Sequence, residues 1–441
     1  MKITDLENKK IAILGFGKEG KSSLNFLLKN GILKENITIL DKGEVSDNLG
    51  VNFISGENYA DNLQDFDIII KSPGLSPYNE NLAPYRDKFT SQTQMFFDNY
   101  NGKVIGVTGS KGKSTTSTLV YEVLKKAGFS VKLVGNIGTP VLDEVDVMSG
   151  EKYDFIVYEL SSYMLEVLKP KLFIGILNNV YDVHLDWHLG RENYTKAKFN
   201  LFYNCENKLV NYELFNRFEI ENPIYFGTDG KYNFAGNKFF VQGNEIFDDK
   251  EIVLLGEHNK KNISSVIGVC DILGIDFNIL KEVLKTFSGL SHRMEDIGTY
   301  MGITFIDDAM ATTPESTIAA IKTFGNKIGT LFLGGQDSGF TFTELRQIID
   351  ENKIENIVLF PDTGIKIYPE LEKQEDEKEI DFNGIKFFKT KSMEEAIKFS
   401  YKNTSKGKTC LMSNAAPSMS VWKNYLDKAE QFKKYIEKYS K

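Results

Sequence analysis

The sequence predicts an α/β protein of three domains, and three observations carry that expectation. At 441 residues the chain exceeds what one ordinary hydrophobic core accommodates. Short runs apolar on both faces, such as Phe155–Tyr158 and Phe173–Leu177, alternate with helical patterns, as buried parallel strands do. Two glycine-rich turns, Gly15–Gly20 and Gly109–Ser114, each link a β-branched run to a helix start.

Composition narrows the class. Hydrophobic content of 41% and charged content of 26% belong to a globular chain, and the net charge of −8 gives no reason to expect nucleic acid or an acidic membrane as partner. The amino-terminal MKITDLENKK lacks the apolar core of a signal peptide, and no apolar run reaches membrane-span length. Cys205, Cys270 and Cys410 are far apart and odd in number, which fits free thiols in a reducing compartment. A cytoplasmic location is expected.

The first domain, 1–98, opens with a strand at Lys10–Leu14, the turn Gly15-Phe16-Gly17-Lys18-Glu19-Gly20 and a helix around Leu24–Leu28. A second strand, Ile37–Leu40, ends at Asp41. This is the G-x-G-x-x-G fingerprint with its acidic ribose partner, and alone it would point to NAD. Only two further strands follow, Val51–Ile54 and Asp67–Lys71, before a second nucleotide loop begins. A short Rossmann-like half-fold fits that length better.

The second domain, 99–289, is a P-loop ATPase-type unit with a mainly parallel sheet. Its strand Val104–Val107 breaks at Gly109-Ser110-Lys111-Gly112 and continues through Lys113, Ser114 and Thr115 into a helix. Glycines let backbone N–H groups converge on a phosphate, Lys113 can reach the outer phosphates, and Ser114 can hold Mg²⁺. Glu159 ends a buried strand, where a carboxylate is placed to take the same Mg²⁺. The stretch Lys208–Val253 is expected to fold as small antiparallel strands.

The third domain, 290–441, shows strands at Ile303–Ile306, Thr330–Leu333, Ile357–Phe360, Ile385–Phe388 and Thr409–Met412, with helices between them. That is a second Rossmann-like unit. The charged stretch Glu370–Glu379 reads as a solvated loop.

Val107 stands where the common P-loop pattern has its first glycine, and the loop T-G-S-K-G-K-S-T instead resembles that of the Mur ligase and folylpolyglutamate synthetase superfamily. Further stretches resemble that family in order: Ser72-Pro73-Gly74, Gly135-Asn136-Ile137-Gly138, Glu159-Leu160-Ser161-Ser162-Tyr163, and the run from Asn178 through His184 and Asp186 to Lys198. Gly256–Asn262, His292-Arg293-Met294-Glu295, Asp307–Thr313 and Ser413–Tyr425 continue the likeness. It spans nearly the whole chain, and the amino-terminal domain sets it apart from the folylpolyglutamate synthetases.

The resemblance implies an ATP-dependent amide ligase. Gly109, Ser110, Lys111, Gly112, Lys113, Ser114 and Thr115, with Asn259, Asn262, Arg293 and Asp308, would bind ATP. Two Mg²⁺ sites are implied, one at Ser114 and Glu159, the other at His184 and a Lys198 carrying a CO₂-derived carbamate. Gly15, Phe16, Gly17, Lys18, Asp41, Ser72, Pro73, Gly74 and Asn136 would hold a UDP-muramoyl substrate. Thr312, Ser418 and Tyr425 match positions that hold the incoming amino acid in D-glutamate-adding members, which act on UDP-N-acetylmuramoyl-L-alanine.

Some positions depart from the pattern. Val183 and Ser291 are small changes, whereas Met310 and Ser338 replace lysines expected near the amino acid's carboxylates. A ligase for L-glutamate or another amino acid therefore stays open, as do a nicotinamide enzyme and a non-catalytic UDP-sugar binder. A monomer is expected.

Overall fold

The computed structural model describes residues 2–43, 50–135, 139–148, 153–250, 252–254, 256–374 and 377–440. Its contacts group the chain into two units, 1–252 with 259–286, and 253–258 with 287–441. Two sheets lie in the first unit and one in the second.

The first sheet contains β1 (Ile11–Leu14), β2 (Ile37–Asp41), β3 (Asn52–Ser55), β4 (Ile68–Lys71) and the two-residue β5 (Phe89–Thr90). Their order is β3-β2-β1-β4-β5 with every pair parallel. Strand order reverses between β1 and β4, where a crevice opens beyond the carboxyl ends of the strands. Gly15 leaves β1 at that point and Ser72 leaves β4 beside it, the Ser72 hydroxyl donating to the Gly15 carbonyl at 2.9 Å. The expected Rossmann-like half-fold is present.

The second sheet runs through β6 (Val104–Thr108), β7 (Val131–Gly135), β8 (Phe155–Glu159), β9 (Lys171–Leu177) and β10 (Asn204–Asn211). It continues in β11 (Pro223–Phe226), β12 (Tyr232–Ala235), β13 (Lys238–Val241) and β14 (Asn244–Asp248). The order is β14-β13-β12-β11-β10-β9-β6-β8-β7. β6 lies between β8 and β9, so all its residues are buried and its glycine loop emerges over the middle of the parallel part. The helix Lys113–Lys126 that follows buries Leu119, Val120, Val123 and Leu124 against it.

The expectation of small antiparallel strands after Lys208 needs correction. β10, β11 and β12 extend the main sheet in parallel, and only the β12–β13 and β13–β14 pairs are antiparallel. β10 buries only its last three residues, so its sequence carries little of the apolar signal of a central strand.

The second unit's sheet holds β15 (Glu295–Tyr300), β16 (Ile303–Asp307), β17 (Ile328–Gly334), β18 (Asn356–Phe360), β19 (Glu379–Phe382), β20 (Ile385–Lys389) and β21 (Thr409–Met412). The order is β15-β16-β21-β17-β18-β20-β19, parallel except at its two edge pairs. The stretch expected as a charged loop includes a 3₁₀ helix, Pro369–Gln374, and ends at the start of β19. Among the described residues no helix is long and apolar enough to cross a membrane.

Gly20, the last glycine of the first fingerprint, lets the helix Lys18–Lys29 lie against the β1 turn. A Cβ there would stand 2.3 Å from the Gly15 carbonyl oxygen, a backbone atom with little room to yield. Gly20→Ala is expected to cost at least about 2 kcal/mol, seen as a lowered thermal midpoint of the first unit. An unchanged midpoint would show that this turn tolerates the methyl group.

Candidate active site

Two polar clusters occupy the first unit, and the glycine loop after β6 is the centre of the larger. Gly112 caps the helix Lys113–Lys126 with φ +79°, a left-handed conformation that favours glycine. A Cβ there would also lie 2.5 Å from Asn262 Oδ1, so only hydrogen leaves the loop open to a ligand. Lys113 folds over the loop and donates to the carbonyls of Gly109 at 2.9 Å and Ser110 at 3.2 Å.

The loop is braced from β9. Asn179 Oδ1 accepts from the Lys111 N–H at 2.8 Å, and the Asn179 carbonyl accepts from the Ser110 N–H at 3.1 Å. Asn178 donates to Thr116 Oγ1 at 3.0 Å. Ser110 Oγ lies 2.5 Å from the Tyr194 hydroxyl and accepts from the Tyr181 N–H at 2.8 Å. Asn262 donates to Asn259 at 3.0 Å, which joins two expected nucleotide contacts.

Strand register brings Glu159, one of the expected metal residues, to the strand ends beside the glycine loop. Val107 pairs with Glu159 and Thr108 with Leu177, so Glu159 and Asn178 leave neighbouring strands beside the loop. Ser114 and Glu159 are both buried. Their hydroxyl and carboxylate are hard oxygen donors, the class that Mg²⁺ takes, so this pair fits a divalent cation.

Lys198 sits beneath the loop on the helix Arg191–Phe199 and is 1% exposed. Its Nζ is 3.5 Å from Thr108 Oγ1 and 4.9 Å from the centre of the Tyr194 ring. Among the described residues no carboxylate pairs with it. Burial, aided by the Lys113 charge, holds its amine well below the ordinary lysine range. An unmodified ammonium does not fit a metal site, whereas a carbamate would, being an oxygen ligand.

His184, at φ +58°, begins the short helix Leu185–His188. Burial first, then the charges of Lys113, Lys198 and His188, push its pKa down, which favours the neutral ring needed for metal ligation.

The smaller cluster surrounds the crevice of the first sheet. Asp41 accepts from the Phe16 N–H at 2.6 Å and the Gly43 N–H at 2.8 Å, so it shapes the glycine turn. Lys71 is buried and donates to the carbonyls of Ser72 at 2.9 Å and Leu75 at 2.6 Å, which pins the turn carrying Ser72, Pro73 and Gly74. Gly17 caps the helix that begins at Lys18. Asn136 lies outside the described residues.

In the second unit Asp308 is the focus. It accepts from Ser413 Oγ at 2.7 Å and from the Met294 N–H at 3.2 Å, next to Arg293. His292 Nδ1 lies 2.8 Å from Asp307 and its ring packs edge-on to Tyr425 at 5.9 Å. Lys428 is wholly buried and donates to Asn414 at 3.1 Å. Ser418 is buried with its hydroxyl unpartnered among the described residues, while Thr312 is partly exposed.

Reading the sequence did not single out Asn178, Asn179, Tyr194, His188, Lys71 or Lys428 as site residues. The paired asparagines closing β9 were the one available signal. A lysine or tyrosine on a helix carries no mark of burial.

The segment 107–270 matches the family described as the Mur ligase middle domain. Solved structures with the same fold include the UDP-N-acetylmuramate-alanine ligase of Thermotoga maritima, at TM-score 0.59 and 19% identity over 98% of this chain and 99% of that one. A pseudomurein peptide ligase type C of Methanothermus fervidus is similar at TM-score 0.59 and 18% identity, over 98% of this chain and 100% of that one. The middle segment thus matches the Mur ligases, and the whole chain shares the fold of these solved structures. The UDP-N-acetylmuramoylalanine–D-glutamate ligases of Clostridium botulinum and Acetivibrio thermocellus are 32% and 31% identical, each over 98% of this chain and 97% of the relative. The chain belongs to the UDP-N-acetylmuramoylalanine–D-glutamate ligase family.

Burial raises the Asp308 carboxyl to about 7, the Ser413 hydroxyl, the Met294 N–H and Arg293 opposing the rise and Asp307 adding to it. Nearby Lys428 is pushed down to about 8 by burial, with Asp307 and Asp308 opposing. The folded chain therefore holds a proton on Asp308 that the unfolded chain releases near its ordinary value of 3.8. Its contribution to stability is full below the unfolded value and is lost as pH rises through about 7. Asp308→Asn removes that titration at nearly constant shape. Its thermal midpoint relative to wild type is expected to be higher at about pH 8 than at about pH 5; an offset independent of pH would contradict the assignment.

Proposed function

We propose that this protein is an ATP-dependent ligase that joins D-glutamate to the terminal carboxylate of UDP-N-acetylmuramoyl-L-alanine, as a cytoplasmic monomer making peptidoglycan precursors. The observation that carries the reading is likeness along almost the whole chain to D-glutamate ligases, combined with an intact glycine loop beside Glu159, His184 and Lys198.

The chemistry proceeds in two displacements. A carboxylate oxygen of the UDP-linked substrate bonds to the γ-phosphorus of ATP as ADP leaves, giving an acyl phosphate. The glutamate amine then attacks the acyl carbon, loses a proton and expels phosphate, leaving an amide. Lys113 offsets charge building on the transferring group, and the loop's shape excludes side chains from the phosphate path. Ser114 and Glu159 would hold one Mg²⁺, and His184 with carbamylated Lys198 a second; bound there, the ions neutralise the phosphate oxygens. Burial of Lys198, with no carboxylate paired to it among the described residues, supports the carbamate.

We assign the UDP-linked substrate to Gly15, Phe16, Gly17, Lys18, Asp41, Ser72, Pro73, Gly74 and Asn136, with three domains at 1–98, 99–289 and 290–441. Asn259, Asn262, Arg293 and Asp308 are assigned to ATP, and Thr312, Ser418 and Tyr425 to glutamate. Met310 and Ser338 favour the one competing reading, a ligase for L-glutamate or another acceptor, because both are uncharged where a dianionic substrate calls for cations.

One assay separates the two. Phosphate release with ATP, Mg²⁺ and UDP-N-acetylmuramoyl-L-alanine is expected to rise on adding D-glutamate and not L-glutamate. Stimulation by L-glutamate, or by neither, would overturn the acceptor assignment.

A further inference from the structure

His188 is wholly buried in the first unit, and the roles assigned above leave it without a task. Its Nε2 lies 3.1 Å from Ser162 Oγ, and its Nδ1 lies 3.5 Å from Glu166 Oε2. Glu166 is fixed through its other oxygen, which accepts from the Tyr78 hydroxyl at 2.6 Å and from Arg86 at 2.8 Å. The carboxylate faces Nδ1 without closing a hydrogen bond, and the ring's side-chain bond is the one to Ser162.

Serine, histidine and glutamate in this order resemble a hydrolase triad. All three are buried, however, with Ser162 at 4% and Glu166 at 9% exposure, so no substrate reaches the hydroxyl. The arrangement holds structure in place rather than reacting.

What it holds is informative. Ser162 and Glu166 lie on the segment that directly follows Glu159. Tyr194, edge-on to the His188 ring at 5.3 Å, precedes Lys198 by one helical turn and touches Ser110 of the glycine loop. His184 precedes His188 by one turn, its carbonyl accepting from the His188 N–H at 3.2 Å. Tyr163 lies parallel to the ring at 5.8 Å.

The neighbouring Trp187 reaches the other cluster. Its indole N–H donates to the Gly74 carbonyl at 3.1 Å, and its own carbonyl accepts from Ser76 Oγ at 2.6 Å.

We propose that His188 is a positioning residue that sets Glu159, His184 and Lys198 at the spacing the two metal sites need, while Trp187 ties those sites to the Ser72–Ser76 turn. This role rests on the metal assignment made above. Groups that orient metal ligands are worth roughly 10- to 100-fold in metal affinity.

The test uses the full-length enzyme with three substitutions: His188→Phe keeps a ring and loses the hydrogen bond to Ser162, His188→Gln can still reach Ser162, and Ser162→Ala removes one hydroxyl. Mn²⁺ binding is followed by electron paramagnetic resonance with a non-hydrolysable ATP analogue, beside kcat and KM for D-glutamate. His188→Phe is expected to weaken Mn²⁺ binding about 10-fold and lower kcat with little change in KM, with His188→Gln between it and wild type. Wild-type Mn²⁺ affinity and kcat in His188→Phe would overturn the role. If that variant fails to fold, the same result in Ser162→Ala would do so. Wild-type enzyme that binds no Mn²⁺ with the analogue would instead overturn the metal assignment, and this role with it.

Discussion

The constraint on which the first unit depends is a lysine buried beneath the glycine loop with no carboxylate paired to it among the described residues. Lys198 is 1% exposed and meets the Thr108 hydroxyl and the face of Tyr194. Burying an unpaired charge is costly, and proteins accept that cost where chemistry requires it. The surroundings keep the amine in place: Thr108 ends the central strand and donates onward to the Leu160 carbonyl at 2.6 Å, while Tyr194 is anchored to Ser110. The same few bonds that seat Lys198 also fix the glycine loop, so loop and lysine cannot be moved independently.

Sheet order explains why these groups meet. Because β6 lies between β8 and β9, Glu159, Asn178 and the loop leave adjacent strands in one direction. The first sheet uses the same device at β1 and β4, bringing Gly15 to Ser72. The second unit handles buried charge differently. There Asp307 and Asp308 oppose the downward push that burial gives Lys428, whereas for Lys198 the Lys113 charge adds to that push.

Much of this was legible in residues. Runs such as Phe155–Tyr158 and Ile357–Phe360 are apolar on both faces and lie in fully buried strands. Glycine turns after β1 and β6 marked the two crevices to which ligands are assigned above, since Gly20 and Gly112 each have a neighbour within 2.5 Å of where a Cβ would stand. Edge strands were not legible. β15, Glu295–Tyr300, and β19, Glu379–Phe382, carry charge and are only partly buried, so tertiary pairing rather than pattern makes them strands. Buried cations were equally hidden from composition. Lys196 and Lys198 share one helix, yet Lys196 is exposed in a pair with Glu192 at 2.7 Å while Lys198 faces the core. Only the likeness to a known family distinguished them in sequence.

That Lys198 works as a carbamate is the proposal most directly open to measurement. The direct measurement is ¹³C nuclear magnetic resonance of the enzyme equilibrated with ¹³C-bicarbonate, comparing wild type with Lys198→Ala. A carbamate resonance present in wild type and lost in the variant is the predicted result; fully active wild-type enzyme with no such resonance would contradict the claim.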